Sequence, residues 1–354
     1  MIDTIEKVAP GCVIQLPQSN KNWKIHMLAF VDDKRHYVNS ITAKKCSDII
    51  QSMEKSVSSW NELLHFSGGA LELSKCSWYM LQWSFTKNDK PILKQTKEKL
   101  FIKHKTSKIA SKQMNTSSPT TYLGVTSQPD GSQDAQYKII KASAEKISKK
   151  LTIIHLTHYM GHTYYQCSIN SKLGYPLVAT SLSNKQINSI QKVFHPAVIA
   201  CKGFNRKWPV ALRYGNTIYS GLNLMDFKVE QRVRKIQFIH KMINHPKHHL
   251  LIQALIEWYQ VSSGLPYPIL SQPNPAPNYI NNVWFQDLIQ FMADNNIKII
   301  TQDFFCNRPQ RKNDKCIMYE IIKQKLTINQ LIQINACRIH LQVSFVSDMT
   351  RPNG

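Results

Sequence analysis

The sequence is poor in acidic residues and has no long apolar run. Its 354 residues carry 45 Lys and Arg against only 22 Asp and Glu, which gives a formal net charge of +23. No uncharged apolar stretch reaches the length of about 18 residues that a membrane-spanning helix needs. A cationic surplus of this size favours a polyanionic partner, and nucleic acid is the commonest one. We therefore expect a nucleic-acid partner and no membrane-spanning helix.

Motifs that mark several other protein classes are missing. The eight Cys contain no Cys-x-x-Cys pair, so neither a disulfide scaffold nor a zinc set is indicated. The sequence also lacks the Gly-rich phosphate loops of nucleotide-binding folds and the Gly-x-Ser-x-Gly of serine hydrolases. Its first residues lack the basic start and apolar core of a secretory signal. We expect a protein of the nucleus or cytoplasm that is not secreted.

Hydrophobic residues make up 42% of the chain, enough to form a core, and their spacing predicts a mixed α+β fold. Two short β-prone stretches, residues 25–30 and 36–39, predict a hairpin with the acids Asp32 and Asp33 at its turn. Apolar residues at three- and four-residue steps then predict an amphipathic helix over residues 42–64. Gly68-Gly69 is a stop signal shortly after this helix.

The remainder of the chain divides by composition. We expect a strand over residues 76–85, a short strand over 122–125 and a mostly helical stretch as far as about residue 260. Five prolines in residues 265–278 predict a semi-rigid linker. The predicted organisation is a partial palm over 1–85, a basic connection over 86–125, a helical region over 126–264, the Pro-rich linker, and a small helical module over 279–354.

Cationic side chains are concentrated in residues 86–115, where nine Lys stand against Asp89 and Glu98. We interpret this segment as an exposed basic hairpin or loop, which is either a solvated face or a set of phosphate contacts. A second group lies along one side of a predicted helix. The candidate nucleic-acid-binding residues of both groups are Lys94, Lys97, Lys99, Lys103, Lys105, Lys108, Lys228, Arg232 and Lys235.

Other side chains have a structural and a functional interpretation. Trp78, Tyr79 and Trp83 have the ring chemistry to stack on bases, but a place in the core is the favoured interpretation. His155, His158 and His162 fall at i, i+3 and i+7 on a predicted helix, and Cys167 follows. Structural zinc sites are usually rich in Cys, so we favour surface or half-buried histidines over a metal site.

The chemistry of the Phe30–Asp33 segment directs attention to phosphoryl transfer. Adjacent carboxylates at a hairpin tip offer the hard oxygen ligands that Mg²⁺ prefers. After this segment come the amphipathic helix, a Gly-Gly segment that leads to Lys75-Cys76, and Tyr122-Leu-Gly-Val125. This order resembles the C-terminal half of reverse transcriptases of non-LTR retroelements. The resemblance covers residues 25–260.

The resemblance implies a partial polymerase palm, with a small antiparallel sheet and a long helix, followed by a helical thumb-like region. It implies RNA-directed DNA polymerase ancestry, with an RNA template and a DNA primer as partners. Asp32 would be the principal Mg²⁺ ligand and Asp33 its partner. Lys75 would lie near the departing pyrophosphate.

One departure from the family pattern concerns the third palm carboxylate, which in the family precedes the Asp-Asp hairpin by many tens of residues. Only 31 residues precede Asp32, and their acids are Asp3 and Glu6. We therefore expect the isolated chain to lack polymerase activity and to hold Mg²⁺ only if that carboxylate is supplied. The alternative is a non-catalytic, basic nucleic-acid-binding protein or a retroelement relic, so the question of enzymatic activity is left open.

Overall fold

The computed structural model describes residues 11–19, 21–30, 33–39, 45–87, 91–104, 107–154, 156–272, 274–280, 282–301 and 311–350. The fold is mixed α+β, as expected, and none of the described helices is long and apolar enough to cross a membrane. The chain divides into two compact units. Unit 1 comprises the chain up to Gln15 and from Asn22 to Ala135, and unit 2 comprises Leu16–Lys21 and the chain from Gln136 onward.

Unit 1 contains every strand of the described chain, paired two by two. The strands are β1 Cys12–Gln15, β2 Asn22–Ile25, β3 Met27–Phe30, β4 Asp33–His36, β5 Ser77–Trp78, β6 Gln82–Phe85, β7 Pro91–Lys94, β8 Phe101–His104, β9 Ser107–Ala110, β10 Lys112–Gln113, β11 Thr120–Tyr122 and β12 Val125–Ser127. Five pairs are antiparallel ribbons and β5–β10 is parallel. The expected small antiparallel pairing is therefore present, in separate two-stranded ribbons among the described residues.

The long helix of unit 1, α1, runs over Cys46–Phe66 and confirms the amphipathic helix predicted from the sequence. It ends just before Gly68, whose φ of 79° lies in the left-handed region that glycine adopts without strain. One part of the helix packs Ile50 against Trp78 and Ile102, and Trp60 packs against Met27. The core of unit 1 is therefore built on both halves of α1.

The Tyr122–Val125 segment is a hairpin turn rather than a single strand. Tyr122 ends β11, Val125 begins β12, and the two residues pair across the ribbon. Leu123 and Gly124 between them have φ values of 49° and 78°. A turn of two residues that both have positive φ suits the twist of a β-ribbon, although leucine is an uncommon residue in the first position.

Unit 2 is helical. Its helices, numbered from the unit boundary, are α2 Asp134–Ile153, α3 His158–Tyr164, α4 Asn170–Gly174, α5 Asn184–Cys201, α6 Val210–Tyr214, α7 Phe227–Ile243, α8 His249–Ser263, α9 Val283–Asp294, α10 Ile317–Ile322 and α11 Ile328–Leu341. A π-helix over Tyr165–Ile169 joins α3 to α4, and short 3₁₀ turns lie at Tyr175–Ala179, Thr217–Tyr219 and Val346–Met349. This confirms the expectation of a mostly helical second half.

The Pro-rich segment differs from the linker predicted for residues 265–278. Ile269 and Leu270 are almost fully buried, in one core with residues of the helices on either side of the segment. Gln260 of α8 supports it, because its amide nitrogen donates to the carbonyls of Leu265 and Tyr267 at 2.8 and 2.9 Å. Proline removes backbone donors but leaves carbonyls that need partners. Residues of α9, α10 and α11, such as Leu288, Met318 and Leu331, therefore share a core with the preceding helices.

Unit 2 also includes a short segment from near the start of the chain. Leu16 is fully buried, and the backbone amides of Gln18 and Ser19 donate to Glu257 Oε2 at 2.9 and 3.2 Å. Gln253 Nε2 donates to the other oxygen of the same carboxylate at 2.8 Å. Glu257 is 1% exposed, so these three donors replace the water that burial removes.

Candidate nucleic-acid interface

The hairpin that carries the Asp-Asp pair is present. Strands β3 and β4 are antiparallel, and Phe30 and Asp33 face each other across the ladder at its end. Val31 and Asp32 lie outside the described residues, and only the backbone of Asp33 is described. The hairpin was predicted correctly, but strand β4 begins at Asp33 itself, three residues earlier than expected.

Two cations of β4 attach the hairpin to the rest of unit 1. The Lys34 ammonium lies 5.0 Å from the centre of the Trp60 ring, and the Arg35 guanidinium lies 4.6 Å from that of Tyr122. The next residue, His36, has its Nδ1 at 3.1 Å from Ser56 Oγ. Burial, together with the charge of Lys34, lowers the pKa of His36 to about 4.

Lys75 lies at the end of a 3₁₀ turn over Leu73–Lys75, and its side chain is exposed. Within the described part of the chain, no hydrogen bond or ion pair joins it to the β3–β4 hairpin. The same residues contain no group of three or more His, Cys, Asp or Glu that could hold a metal ion. Because Asp32 is not among them, the predicted roles of Asp32, Asp33 and Lys75 remain predictions.

The basic segment includes the β8–β9 ribbon, and buried apolar residues attach this ribbon to unit 1. Leu100 and Ile102 are 2% and 3% exposed and pack with Trp78 against α1. Two side chains of α1 also hold β8. Glu54 accepts a hydrogen bond from the Phe101 backbone amide at 2.7 Å, and Asn61 donates to the Lys103 carbonyl at 3.1 Å. The predicted basic hairpin is therefore present in β8–β9 and has a defined position on unit 1.

The lysines of this segment face solvent. All those with a described side chain are exposed, namely Lys87, Lys94, Lys97, Lys99, Lys103, Lys108 and Lys112. None of these seven forms an ion pair within the described residues. In the β8–β9 register Lys103 stands directly opposite Lys108. Lys105, which comes between the two strands in the sequence, lies outside the described residues.

This cross-strand pair is electrostatically unfavourable in the absence of an anion. Side chains directly opposite each other in an antiparallel ladder have Cβ atoms about 5 Å apart, and like charges at that distance repel. Phe101 lies on the same side of the ribbon, two residues before Lys103, and is 38% exposed. The ribbon therefore offers two adjacent ammonium groups and one ring on a single side, an arrangement that a phosphate would stabilise.

Two of the three cations of the second predicted group, Arg232 and Lys235, are used internally, so the expected outward orientation is wrong for these two. Lys235 is fully buried, and its Nζ donates to Asp287 Oδ2 at 3.2 Å and to Ser181 Oγ at 2.9 Å. Arg232 binds Asp287 Oδ1 at 2.7 Å. Burial lowers the pKa of Lys235 to about 8, although Asp287 opposes this shift. Lys228 beside them is half-buried. We propose no phosphate contact for Arg232 or Lys235.

The aromatic candidates divide between the core and the surface. Trp78 is 8% exposed, and its indole nitrogen donates to the Ser111 carbonyl at 3.3 Å, which confirms the core interpretation for this residue. Tyr79 is half-buried and donates to the Ser118 carbonyl at 3.0 Å. Trp83 is 62% exposed. Phe85 is also exposed but was not among the candidates taken from the sequence. Alternation along a strand shows that two residues share a side, but it does not show which side is covered.

Comparison with protein-family models, with curated proteins and with solved structures finds no match to this chain. The functional interpretation therefore depends on the geometry and charge of unit 1 and on the resemblance of its motifs.

Proposed function

We propose that this protein binds nucleic acid through the lysine-rich surface of unit 1, which comprises the seven exposed lysines between Lys87 and Lys112. The observation that carries the proposal is the cross-strand pair of Lys103 and Lys108, which face each other without a described carboxylate partner. Binding of a polyanion removes the repulsion within this pair and so stabilises the folded chain.

The overall charge supports the same proposal. With a net charge of +23, the chain attracts polyanions at long range and does so less strongly as salt rises. Phosphate binding releases condensed counterions from nucleic acid, so the logarithm of affinity falls linearly with the logarithm of salt concentration. The size of the slope of this plot is proportional to the number of phosphates contacted, at about 0.9 for each phosphate of a duplex.

A salt titration of the full chain with a fluorescent duplex tests this function. We expect Lys103→Gln with Lys108→Gln to weaken binding and to reduce the slope by about 1–2, because each lysine contacts about one phosphate. The matched control is Lys298→Gln with Lys312→Gln, which removes the same charge from two exposed lysines of unit 2. Equal losses in the two double variants would show that binding follows net charge alone and would contradict an interface on unit 1.

RNA-directed DNA polymerisation is a second candidate function, and the β3–β4 hairpin favours it. The antiparallel ladder ends at the pair Phe30 and Asp33, and Asp32 comes between these two residues in the sequence. The two carboxylates have the oxygen donors that Mg²⁺ prefers, and a bound Mg²⁺ would supply charge stabilisation for phosphoryl transfer. By resemblance to non-LTR retroelement enzymes, Lys75 would assist at the departing pyrophosphate.

Primer extension on an RNA template with Mg²⁺ distinguishes the two candidates when the chain is joined to a segment that supplies the third palm carboxylate, because the chain alone is expected to be inactive in either case. If the chain is a polymerase, Asp32→Asn abolishes extension and leaves template binding unchanged. If it is a non-catalytic binding protein, the unaltered chain does not extend the primer, and Asp32→Asn binds as the unaltered chain does.

A further inference from the structure

The β6–β7 ribbon of unit 1 presents two large rings on one side. In an antiparallel ladder, directly opposed residues point to the same side, and alternate residues of a strand do as well. Trp83 opposes Leu93 and Phe85 opposes Pro91, so these four side chains share a side. Trp83 is 62% exposed and Phe85 is 71% exposed. Within the described residues, neither ring has an aromatic or cationic partner.

Exposure of these rings has an energetic cost that a partner would remove. Burying a large apolar side chain gains about 25 cal/mol for each Å² of surface withdrawn from water, and a tryptophan or phenylalanine offers a large area. Scattered apolar side chains on a surface are normal, whereas two rings side by side on one face of a ribbon form a patch. The patch therefore suits a flat, apolar occupant.

The charges around the ribbon restrict that occupant to an anion. Lys87 follows Phe85 by two residues, whereas Lys94 opposes Gln82 in the last ladder pair and therefore lies on the other side of the ribbon from the two rings. Lys97 and Lys99 follow directly after β7, and all four lysines are exposed. Glu98 is the one acid of this segment whose side chain is described. Flat apolar groups on an anionic backbone are the defining chemistry of nucleic acid.

The spacing of the rings favours unpaired bases. Alternate residues of a strand lie about 6.6–6.8 Å apart. This distance is twice the rise of about 3.4 Å between neighbouring nucleotides of one strand. Each ring can therefore stack on one base, and the two stacked bases have either a third base or an empty space between them. In a duplex the base faces are covered by stacking, whereas unpaired bases expose both faces to protein rings.

We propose that Trp83 and Phe85 form a stacking platform for single-stranded nucleic acid, DNA or RNA, with the adjacent lysines on its phosphates. The inference rests on the proposed nucleic-acid-binding function and deepens it by naming the strandedness of the substrate. The lysines bind backbone in single strands and duplexes alike, and the two rings add affinity for the single strand.

The test compares binding of the full chain to a single-stranded DNA, a single-stranded RNA and a duplex of equal length, each of about 12 nucleotides or base pairs. We expect Trp83→Ala with Phe85→Ala to weaken single-strand binding by about 10-fold or more for each ring and to leave duplex binding and the salt slope unchanged. The matched control, Tyr159→Ala with Tyr219→Ala, removes two exposed rings of unit 2 and should leave all affinities unchanged.

Two further variants protect the test against a change in folding. Phe85→Ala alone removes the more exposed ring, and Trp83→Phe keeps a ring and should keep most of the single-strand affinity. The platform is overturned if the double alanine variant keeps its single-strand affinity or loses as much affinity for the duplex. Binding to phosphatidylserine vesicles is measured in parallel, and a variant that loses only vesicle binding also overturns the platform. These outcomes differ from failure of the proposed function, in which Lys103→Gln with Lys108→Gln leaves binding to every nucleic acid unchanged.

Discussion

The two units use their cations differently. In unit 2, Lys202, Lys235 and Arg338 are each less than 5% exposed and donate to groups within the unit. In unit 1, the described lysines between Lys87 and Lys112 are exposed and have no ion-pair partner among the described residues. A buried cation costs several kcal/mol in lost hydration unless protein groups replace the water. These three cations of unit 2 are therefore structural, and the described lysines of unit 1 between Lys87 and Lys112 are available to a ligand.

Arg338 illustrates the structural use of a cation. Its guanidinium donates to the carbonyls of Val261 and Ser262 in the last turn of α8 and to Asn335 Oδ1 at 2.9 Å. The carbonyls at the end of a helix lack partners within the helix and carry partial negative charge. A positive side chain satisfies both needs at once, so Arg338 requires no carboxylate.

The largest test of the comparison is removal of the acid shared by two unit 2 cations. We expect Asp287→Asn to reduce the free energy of unfolding by about 3–5 kcal/mol, because Lys235 and Arg232 would remain buried or half-buried without their charge partner. Urea denaturation measures the loss. Glu320→Gln is the control, since its partner Lys323 is solvent-exposed and exposed pairs contribute little. Equal effects of the two substitutions would remove the distinction between structural and exposed cations.

The next test concerns how tightly Arg338 is enclosed. Gly264 ends α8 with a φ of 62°, and a Cβ there would lie 2.8 Å from Arg338 Cζ and from Met318 Cγ. We expect Gly264→Ala to cost about 3 kcal/mol, part from backbone strain and part from overpacking. Gly203→Ala is the control for strain alone, at about 1 kcal/mol, because φ is 78° and the position of its Cβ is open. If thermal or urea unfolding showed equal losses of stability for Gly264→Ala and Gly203→Ala, Arg338 would be able to move away from the new Cβ at little cost.

A third test examines acid stability, in which we expect the units to behave alike. Burial lowers the pKa of His36 in unit 1 to about 4 and that of His195 in unit 2 to about 3. The unfolded chain, with an ordinary histidine pKa of about 6.5, binds protons more readily, so stability is complete above that pH and falls as pH falls towards 4 or 3. Between pH 7 and pH 5 we expect a loss of about 1–2 kcal/mol per histidine.

Urea unfolding at the two pH values measures this loss, and single His36→Gln and His195→Gln variants assign it to a unit. Each variant should make the unfolding of its own unit less dependent on pH. A variant with the full pH dependence of the unaltered chain would show that its histidine is protonated as easily in the folded state as in the unfolded one.

The smallest effect has the opposite sign and sharpens the comparison most. We expect Lys103→Gln to stabilise the ligand-free protein by about 0.2–1 kcal/mol, because it removes the repulsion from Lys108 across the ribbon. The gain should disappear in concentrated salt, which screens exposed charges. Lys298→Gln, on a lysine of unit 2 without a described ion pair, should leave the unfolding midpoint unchanged. Destabilisation by Lys103→Gln would assign this lysine a structural role.

Local patterns in the sequence predicted local structure well. Helix α1, the β3–β4 hairpin and the basic ribbon follow from periodicity, β propensity and charge over short windows. The failures share a physical cause, which is dependence on distant partners. Lys235 is buried beside Asp287, 52 positions later, and Ile269 and Leu270 are buried in one core with Leu331. Neither partner is visible in the pattern around the residue that needs it.

The candidate site divides in the same way. The cationic segment was predictable because an excess of lysine over acid is a property of composition. The platform at Trp83 and Phe85 was not, because the alternation of a strand does not say which side faces water. The pairing of β6 with β7 shows that both rings share a side, and their exposure shows that this side faces solvent.

The bond between Gln18 and Glu257 has a consequence for protein synthesis. The two residues are 239 positions apart in the chain. At about 5–20 residues per second, a ribosome needs about 10–50 seconds to pass from one to the other. During that interval Leu16, which is fully buried in the finished protein, has no Glu257 segment to join and stays available to chaperones. Most of unit 2 is synthesised after unit 1. Its fold is complete only when the earlier segment Leu16–Lys21 packs into it.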